Sequence, residues 1–204
     1  FDSNEQAYIK VTNGESYDII IPSDYMIQRL MEEGYLQKLD QSLLTCWDEL
    51  NPEVMGQPFD PEDEYCVSYF WGTVGIVYDK TKVSEEDLEE QGFGIFLNEK
   101  YKGDIYLYDS ERDSFMIALK SLGYSMNTDN EAELNEAYDW LVELNKTMEP
   151  IYIGDEVIDG MINGNKDLAV VYSGDATNIL LENEEMSFYM PHQGTNLWVD
   201  CMVI

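Results

Sequence analysis

The sequence predicts an α/β fold with a mostly parallel sheet, on three observations. Short apolar runs rich in Val, Ile and Tyr alternate with longer segments of helical pattern. Several of those segments open on Ser or Thr with an acid three residues later, and two close on Gly, the signals that start and stop helices. Strand and helix repeat in that order, and strands that read as continuous apolar runs are those buried on both faces.

Taken in chain order, a strand is expected at Ile19–Pro22 and a helix at Asp24–Glu33, with Ser23 as its N-cap and Gly34 beyond its end. A longer strand follows at Tyr69–Tyr78. The stretch "DKTKVSEEDLEEQGF" is polar and is the best candidate for a boundary between two sheet-bearing regions; Ser84 and Asp87 form a capping box inside it. Asp104–Tyr108 reads as a strand and Glu111–Leu122 as a helix, opened by Ser110 with Asp113 at its third position and closed by Gly123. Thr128 and Glu131 open a helix over Asp129–Lys146. The strand Leu168–Tyr172 leads into a helix at Asp175–Asn183, with Ser173 at the cap and Asp175 in the first turn. Ser187–Met190 and Leu197–Ile204 complete the strands. No internal repeat is visible.

Composition narrows the function. Hydrophobic residues make up 44% and aromatics 13% of the 204 residues, which excludes a disordered chain. Acids outnumber bases 42 to 11, a net charge of −31. Nucleic acid and anionic membrane surfaces are therefore poor partners, because both require Lys and Arg to displace counterions. A cationic ligand, a metal ion or a plain acidic surface fits, and most acids, as in "SEEDLEEQ" and "DPEDEY", read as solvated faces. Cys46, Cys66 and Cys201 are far apart with no CxxC, which argues against a disulfide framework and against zinc. Each sits among apolar or aromatic neighbours and is expected to be a small buried hydrophobe. No cofactor is expected: there is no GxGxxG and no P-loop. "DPEDE" lacks the EF-hand pattern for calcium. The chain opens without Met at "FDSNEQAYIKV", which reads as a piece of something longer.

In open α/β sheets, ligands bind beyond the carboxyl ends of strands. "IIIPSDY", "IYLYDSERDSF" and "AVVYSGDA" answer that description, and they carry Ser23, Tyr25, Asp113, Tyr172 and Asp175. Taken singly, each has a plainer role. Asp113 is half of a capping box, Asp175 a first-turn acid favoured by the helix dipole, and Tyr172 a core aromatic. Together they pair aromatic faces with carboxylates, which is what a desolvated organic cation needs. Asp200 in "NLWVDCMVI" fits the same scheme. A charge inside an apolar strand is unfavourable unless paired, and Trp198, two residues away, shares its face.

The segments "YDIIIPSDYMIQRLMEEGYLQKLD", "FWGTVGIVYDK", "YKGDIYLYDSERDSFMIALKSLGYSMNT", "VYSGDA" and "NLWVDCMVI" resemble the spermidine/putrescine-binding receptors of bacterial ABC transporters. The resemblance covers almost the whole chain. It implies a type II periplasmic-binding-protein fold, two α/β lobes closing on a polyamine, and a non-enzymatic receptor delivering its ligand to permease subunits. By residue, it assigns ligand contacts to Ser23 and Tyr25, to the acid Asp113, to the wall aromatic Tyr172, to Asp175 as in putrescine-preferring members, and to Trp198 and Asp200. Ser110 stands where spermidine-preferring members often carry another acid, which weakens the case for spermidine preference. Family members are longer at both ends, so residues 1–80 are expected to form a partial first lobe, 81–197 the second lobe, and 198–204 a return strand. Such a piece is expected to self-associate. The resemblance places the protein outside the cytoplasm, in the periplasm or on the outer face of the cell membrane, tethered by a lipid anchor or fused to a permease. Two other readings stay open at this point: a receptor for another small solute such as a metal, a thiamine-like molecule or a sugar, and an enzyme using Cys66 or Cys201 with His192.

Overall fold

The computed structural model describes residues 3–204, which fall into two compact units. One comprises the chain up to Gly72 together with Leu197–Ile204, and the other comprises Thr73–Asn196. The polar stretch 79–93 lies within the second unit.

The second unit is built on a sheet of strand order β3-β2-β4-β1-β5, with β2 Ile105–Tyr108, β3 Ile151–Ile153, β4 Leu168–Tyr172, β5 Met186–Tyr189 and the part of β1 (Val67–Asp79) from Thr73 onward. β2 runs parallel to β3 and β4, whereas β1 is antiparallel to both β4 (Val74 opposite Tyr172) and β5 (Ile76 opposite Tyr189). The sheet is thus mixed, not mostly parallel. Parallel neighbours need a crossover between them, and the helices after β2 and β3 supply it. The alternation of strand and helix along the chain does not reveal that β1 enters against the others.

Helices cover both faces of this sheet. Ile76, Tyr78, Ile105, Leu107, Leu168 and Val170 face a core with Phe93, Phe96 and residues of α4 (Glu111–Ser121) and α5 (Glu131–Met148). Val77, Tyr106, Ala169 and Val171 point the other way, onto α6 (Val157–Ile162) and α7 (Ser173–Glu182). That two-sided burial is why these strands read as unbroken apolar runs. Gly75 is required by packing, since a Cβ there would lie 2.3 Å from the Phe188 ring and 2.9 Å from the Tyr189 carbonyl oxygen.

Helix starts follow the sequence in part. The Ser110 hydroxyl accepts the Asp113 N–H at 3.3 Å, and Ser84 accepts that of Asp87 at 3.4 Å, opening α3 (Glu85–Gln91). Two caps differ from expectation. Asn130, not Thr128, caps α5 by accepting the Ala132 N–H; Thr128 instead donates to Glu133. Tyr172 holds the N-cap position of α7, and Ser173 is the first helical residue, its hydroxyl accepting the Thr73 N–H.

The first unit contains α1 (Asn4–Thr12), α2 (Asp24–Glu32), three short 3-10 turns between Gln41 and Val54, the opening residues of β1 up to Gly72, and β6 (Leu197–Met202). Ile20, Met26, Ile27, Leu30, Cys66, Val199, Cys201 and Val203 form its core. The strand expected at Ile19–Pro22 is reduced to one isolated antiparallel bridge, Ile20 with Val203, followed by a second just beyond it, Ser23 with Asp200. Cys66 and Cys201 are buried as expected, but Cys46 is exposed, on a turn-rich stretch where the neighbouring Leu43 is exposed too. Among the described residues, no helix is long and apolar enough to cross a membrane.

Candidate ligand-binding site

The residues singled out in the sequence gather in two clusters of carboxylates and aromatics, one in each unit. In the second unit, strand ends deliver Tyr108 and Tyr172, and the helix starts that follow deliver Asp113 and Asp175. Asp113 is only 6% exposed. One of its carboxylate oxygens accepts from the Tyr172 hydroxyl at 2.8 Å and the other from the Asn196 side-chain amide at 3.4 Å. Asn196 is held in turn, its side-chain oxygen accepting the Val74 N–H at 3.1 Å. The Tyr172 and Tyr108 rings lie 4.6 Å apart, tilted at 56°, and the Tyr108 hydroxyl donates to Asp155. Burial, then the charge and hydrogen bond of Asp113, hold the Tyr172 phenol well above its ordinary range, so it stays a neutral donor. Burial and the neighbouring Asp155 push the half-buried Asp175 carboxyl up. The cluster thus sets two half-buried tyrosine rings beside the buried carboxyl of Asp113 and the half-buried carboxyl of Asp175.

In the first unit, β6 alternates. Val199, Cys201 and Val203 enter the core, while Trp198 and Asp200 are half-buried on its other face. This resolves the charge in an apolar strand: Asp200 belongs to the non-core face. It sits opposite Ser23 in an antiparallel bridge. One of its carboxylate oxygens, Oδ1, is buried and has no hydrogen-bond partner among the described residues. Burial pushes this carboxyl up, against the opposing effect of a hydrogen bond from Ser23. Ser23 occupies the N-cap of α2 but makes no capping bond. Instead its hydroxyl accepts from the Asn4 amide and its N–H donates to the Asn4 side-chain oxygen, both at 3.0 Å. The Tyr25 hydroxyl donates to Glu5 at 2.9 Å.

The structure thus brings Asp113, Tyr172 and Asp175 together in one cluster, and Ser23 and Asp200 as bridge partners in the other. Sequence reasoning missed Tyr108, Asp155, Asn196 and Asn4. Tyr108 lay in a strand end already marked as ligand-facing; Asn4 and Asn196 gave no local signal. The environment of Cys66 does not suit a nucleophile. It and Cys201 are both buried against one another, whereas reactive cysteines sit in partly exposed, electropositive surroundings.

With this geometry in place, the comparisons identify the class. Residues 14–204 match the family of bacterial extracellular solute-binding proteins, and the chain belongs to that family. Among curated relatives, the spermidine/putrescine-binding periplasmic protein of Escherichia coli (strain K12) is 30% identical over 208 residues, covering 100% of this chain and 58% of its own length. The putrescine-binding periplasmic protein SpuD of Pseudomonas aeruginosa is 29% identical, covering 100% of this chain and 60% of its own. Among solved structures, the spermidine/putrescine ABC transporter substrate-binding protein PotD of Streptococcus pneumoniae superposes with a TM-score of 0.80 at 38% identity, over 100% of this chain and 62% of that one. The chain thus spans about three fifths of the length of these relatives. The resemblance and the type II periplasmic-binding-protein fold read from the sequence are borne out.

Proposed function

We propose that the protein is a non-enzymatic receptor that captures a polyamine, putrescine or spermidine, outside the cytoplasm and delivers it to the permease subunits of an ABC transporter. The observation that carries this reading is the buried, unpartnered carboxylate oxygen of Asp200 on the Trp198 face of β6. A buried carboxylate oxygen without a partner is unfavourable, and a ligand ammonium would complete Oδ1 with a charge-assisted hydrogen bond. The second cluster offers the same chemistry through Asp113, Asp175 and the two tyrosine rings, and the relatives' names point the same way. Tethering by a lipid anchor or by fusion to a permease belongs to the same reading. So does self-association of the 204 residues, for which the exposed run Tyr69, Phe70 and Trp71 offers apolar surface; a monomer mass in light scattering would contradict it.

The specificity follows from Ser110. Its hydroxyl is engaged with the Asp113 N–H and it carries no charge. A third ligand amine would be desolvated there without a matching acid. Putrescine is therefore expected to bind the complete receptor at least as tightly as spermidine. Competition titrations followed by tryptophan fluorescence, with thiamine, a sugar and a divalent metal as further arms, test this. Spermidine binding far more tightly would overturn the specificity, and exclusive response to a non-polyamine arm would overturn the function.

A further inference from the structure

The second-unit cluster contains a chain of contacts that extends past the residues assigned above. Asp113 accepts from Tyr172, the Tyr172 ring leans on the Tyr108 ring, and the Tyr108 hydroxyl donates to Asp155. Asp155 follows β3 at the turn that opens α6. Two backbone bonds fix that turn, Val157 N–H to the Gly154 carbonyl at 3.0 Å and Ile158 N–H to the Asp155 carbonyl at 3.1 Å. Next to it, the Asp109 N–H bonds the Ile153 carbonyl at 3.0 Å, tying the end of β2 to the end of β3. The carboxylate is thus presented from a backbone held at both ends. Asp155 itself is exposed, while Tyr108 is half-buried.

We propose that Asp155 is a positioning residue for the aromatic wall: by holding the Tyr108 hydroxyl it fixes the Tyr108 ring as the support against which Tyr172 is set. This rests on the reading of the cluster as a polyamine site. An aromatic ring attracts an ammonium group only when its face is correctly placed, and a wall set in advance adds affinity by reducing what must be ordered on binding. A phenol has two rotatable side-chain torsions, and Tyr172 is tied by its own hydroxyl to Asp113. Tyr108 has its equivalent tie through Asp155. Asp155 thus differs from Asp113 and Asp175, whose role in the proposed site is charge. Asp155 acts as an acceptor, a role that an uncharged amide oxygen can also fill.

The test uses the complete receptor and four variants: Asp155→Ala, Asp155→Asn, Tyr108→Phe and the double variant Asp155→Ala with Tyr108→Phe. Calorimetry with putrescine is paired with the near-ultraviolet circular dichroism of the ligand-free protein, whose tyrosine band reports ring placement. Asp155→Ala and Tyr108→Phe are each expected to weaken putrescine binding about tenfold, and both are expected to diminish the tyrosine band. The double variant is expected to be no worse than either alone, since both remove one contact. Asp155→Asn, which keeps an acceptor oxygen, should retain the band and stay within about threefold of the parent affinity. An Asp155→Asn variant as weak as Asp155→Ala would overturn the inference, because charge and not position would then be responsible. So would Asp155→Ala with unchanged affinity and an unchanged band. A parent protein that binds no polyamine would sink the functional reading, while the band of the four variants would still decide what Asp155 does to Tyr108.

Discussion

Replacing Asp200 with Asn in the complete receptor is expected to weaken putrescine binding by about 30-fold or more, the loss that follows from removing one partner of a buried charge pair, roughly 2–5 kcal/mol. Asn preserves shape and a hydrogen-bonding oxygen, so the loss isolates the charge. The same residue sets a pH dependence. Burial raises the carboxyls of Asp200 and Asp175, so they take up protons at a higher pH than ordinary carboxylates do. The ligand needs them ionised. Affinity should therefore fall as pH drops through that raised range, and the fall should be shallower in the Asp200→Asn variant. Stability of the ligand-free protein runs the opposite way. A carboxyl whose value is raised by folding disfavours the fold once ionised, so removing it should leave the melting temperature unchanged or higher. Calorimetry across pH and a thermal melt measure both effects. Unchanged affinity would sink the assignment of Asp200 as the amine anchor.

Replacing Phe96 with Ala is expected to cost about 3–5 kcal/mol of stability, the usual penalty for emptying a core site of an aromatic ring. Phe96 is fully buried on the turn Gly92–Leu97, which packs against both α4 and α5. α4 carries Asp113 and its cap Ser110, so the loss falls on the element that positions the second-unit cluster. Denaturant unfolding should show the unfolding free energy falling by that amount, as a lower midpoint at unchanged slope, with the cooperative transition retained. An unmoved midpoint would mean that this core collapses around the gap or that the turn does not bear on it.

What the sequence revealed follows from how far each signal reaches. β4 lies at Leu168–Tyr172 as read, because a strand buried on both faces is an unbroken apolar run bounded by polar residues. The pairing of Trp198 with Asp200 on one face was legible because alternation along a strand is strictly local. The antiparallel placement of β1 was not legible, since its partners lie about a hundred residues downstream and nothing local marks direction. β3 was missed because it is three residues long, and Ile151 and Tyr152 are both exposed, so it lacks the apolar run of an interior strand. Ile19–Pro22 has the composition of a strand but pairs through a single bridge, at Ile20, with a second just beyond it at Ser23, a matter of tertiary contacts and not of propensity. Asp113, Tyr172 and Asp175 could be grouped from the sequence because each sits at a strand end or the helix start that follows it, and the structure places Tyr172 beside both carboxyls. Asp155 escaped because its partner is 47 residues away, at a strand end of its own.

Calorimetric titration of the complete receptor with putrescine, set beside 1,4-butanediol, tests the central claim most directly. The two molecules share a four-carbon chain and differ in carrying ammonium or hydroxyl ends, so only a site built on carboxylates and aromatic faces separates them strongly. Saturable one-to-one binding of putrescine that weakens with added salt, and no detectable binding of the diol, is the expected result. Equal binding of the two, or no heat from putrescine with a folded protein, would contradict the account.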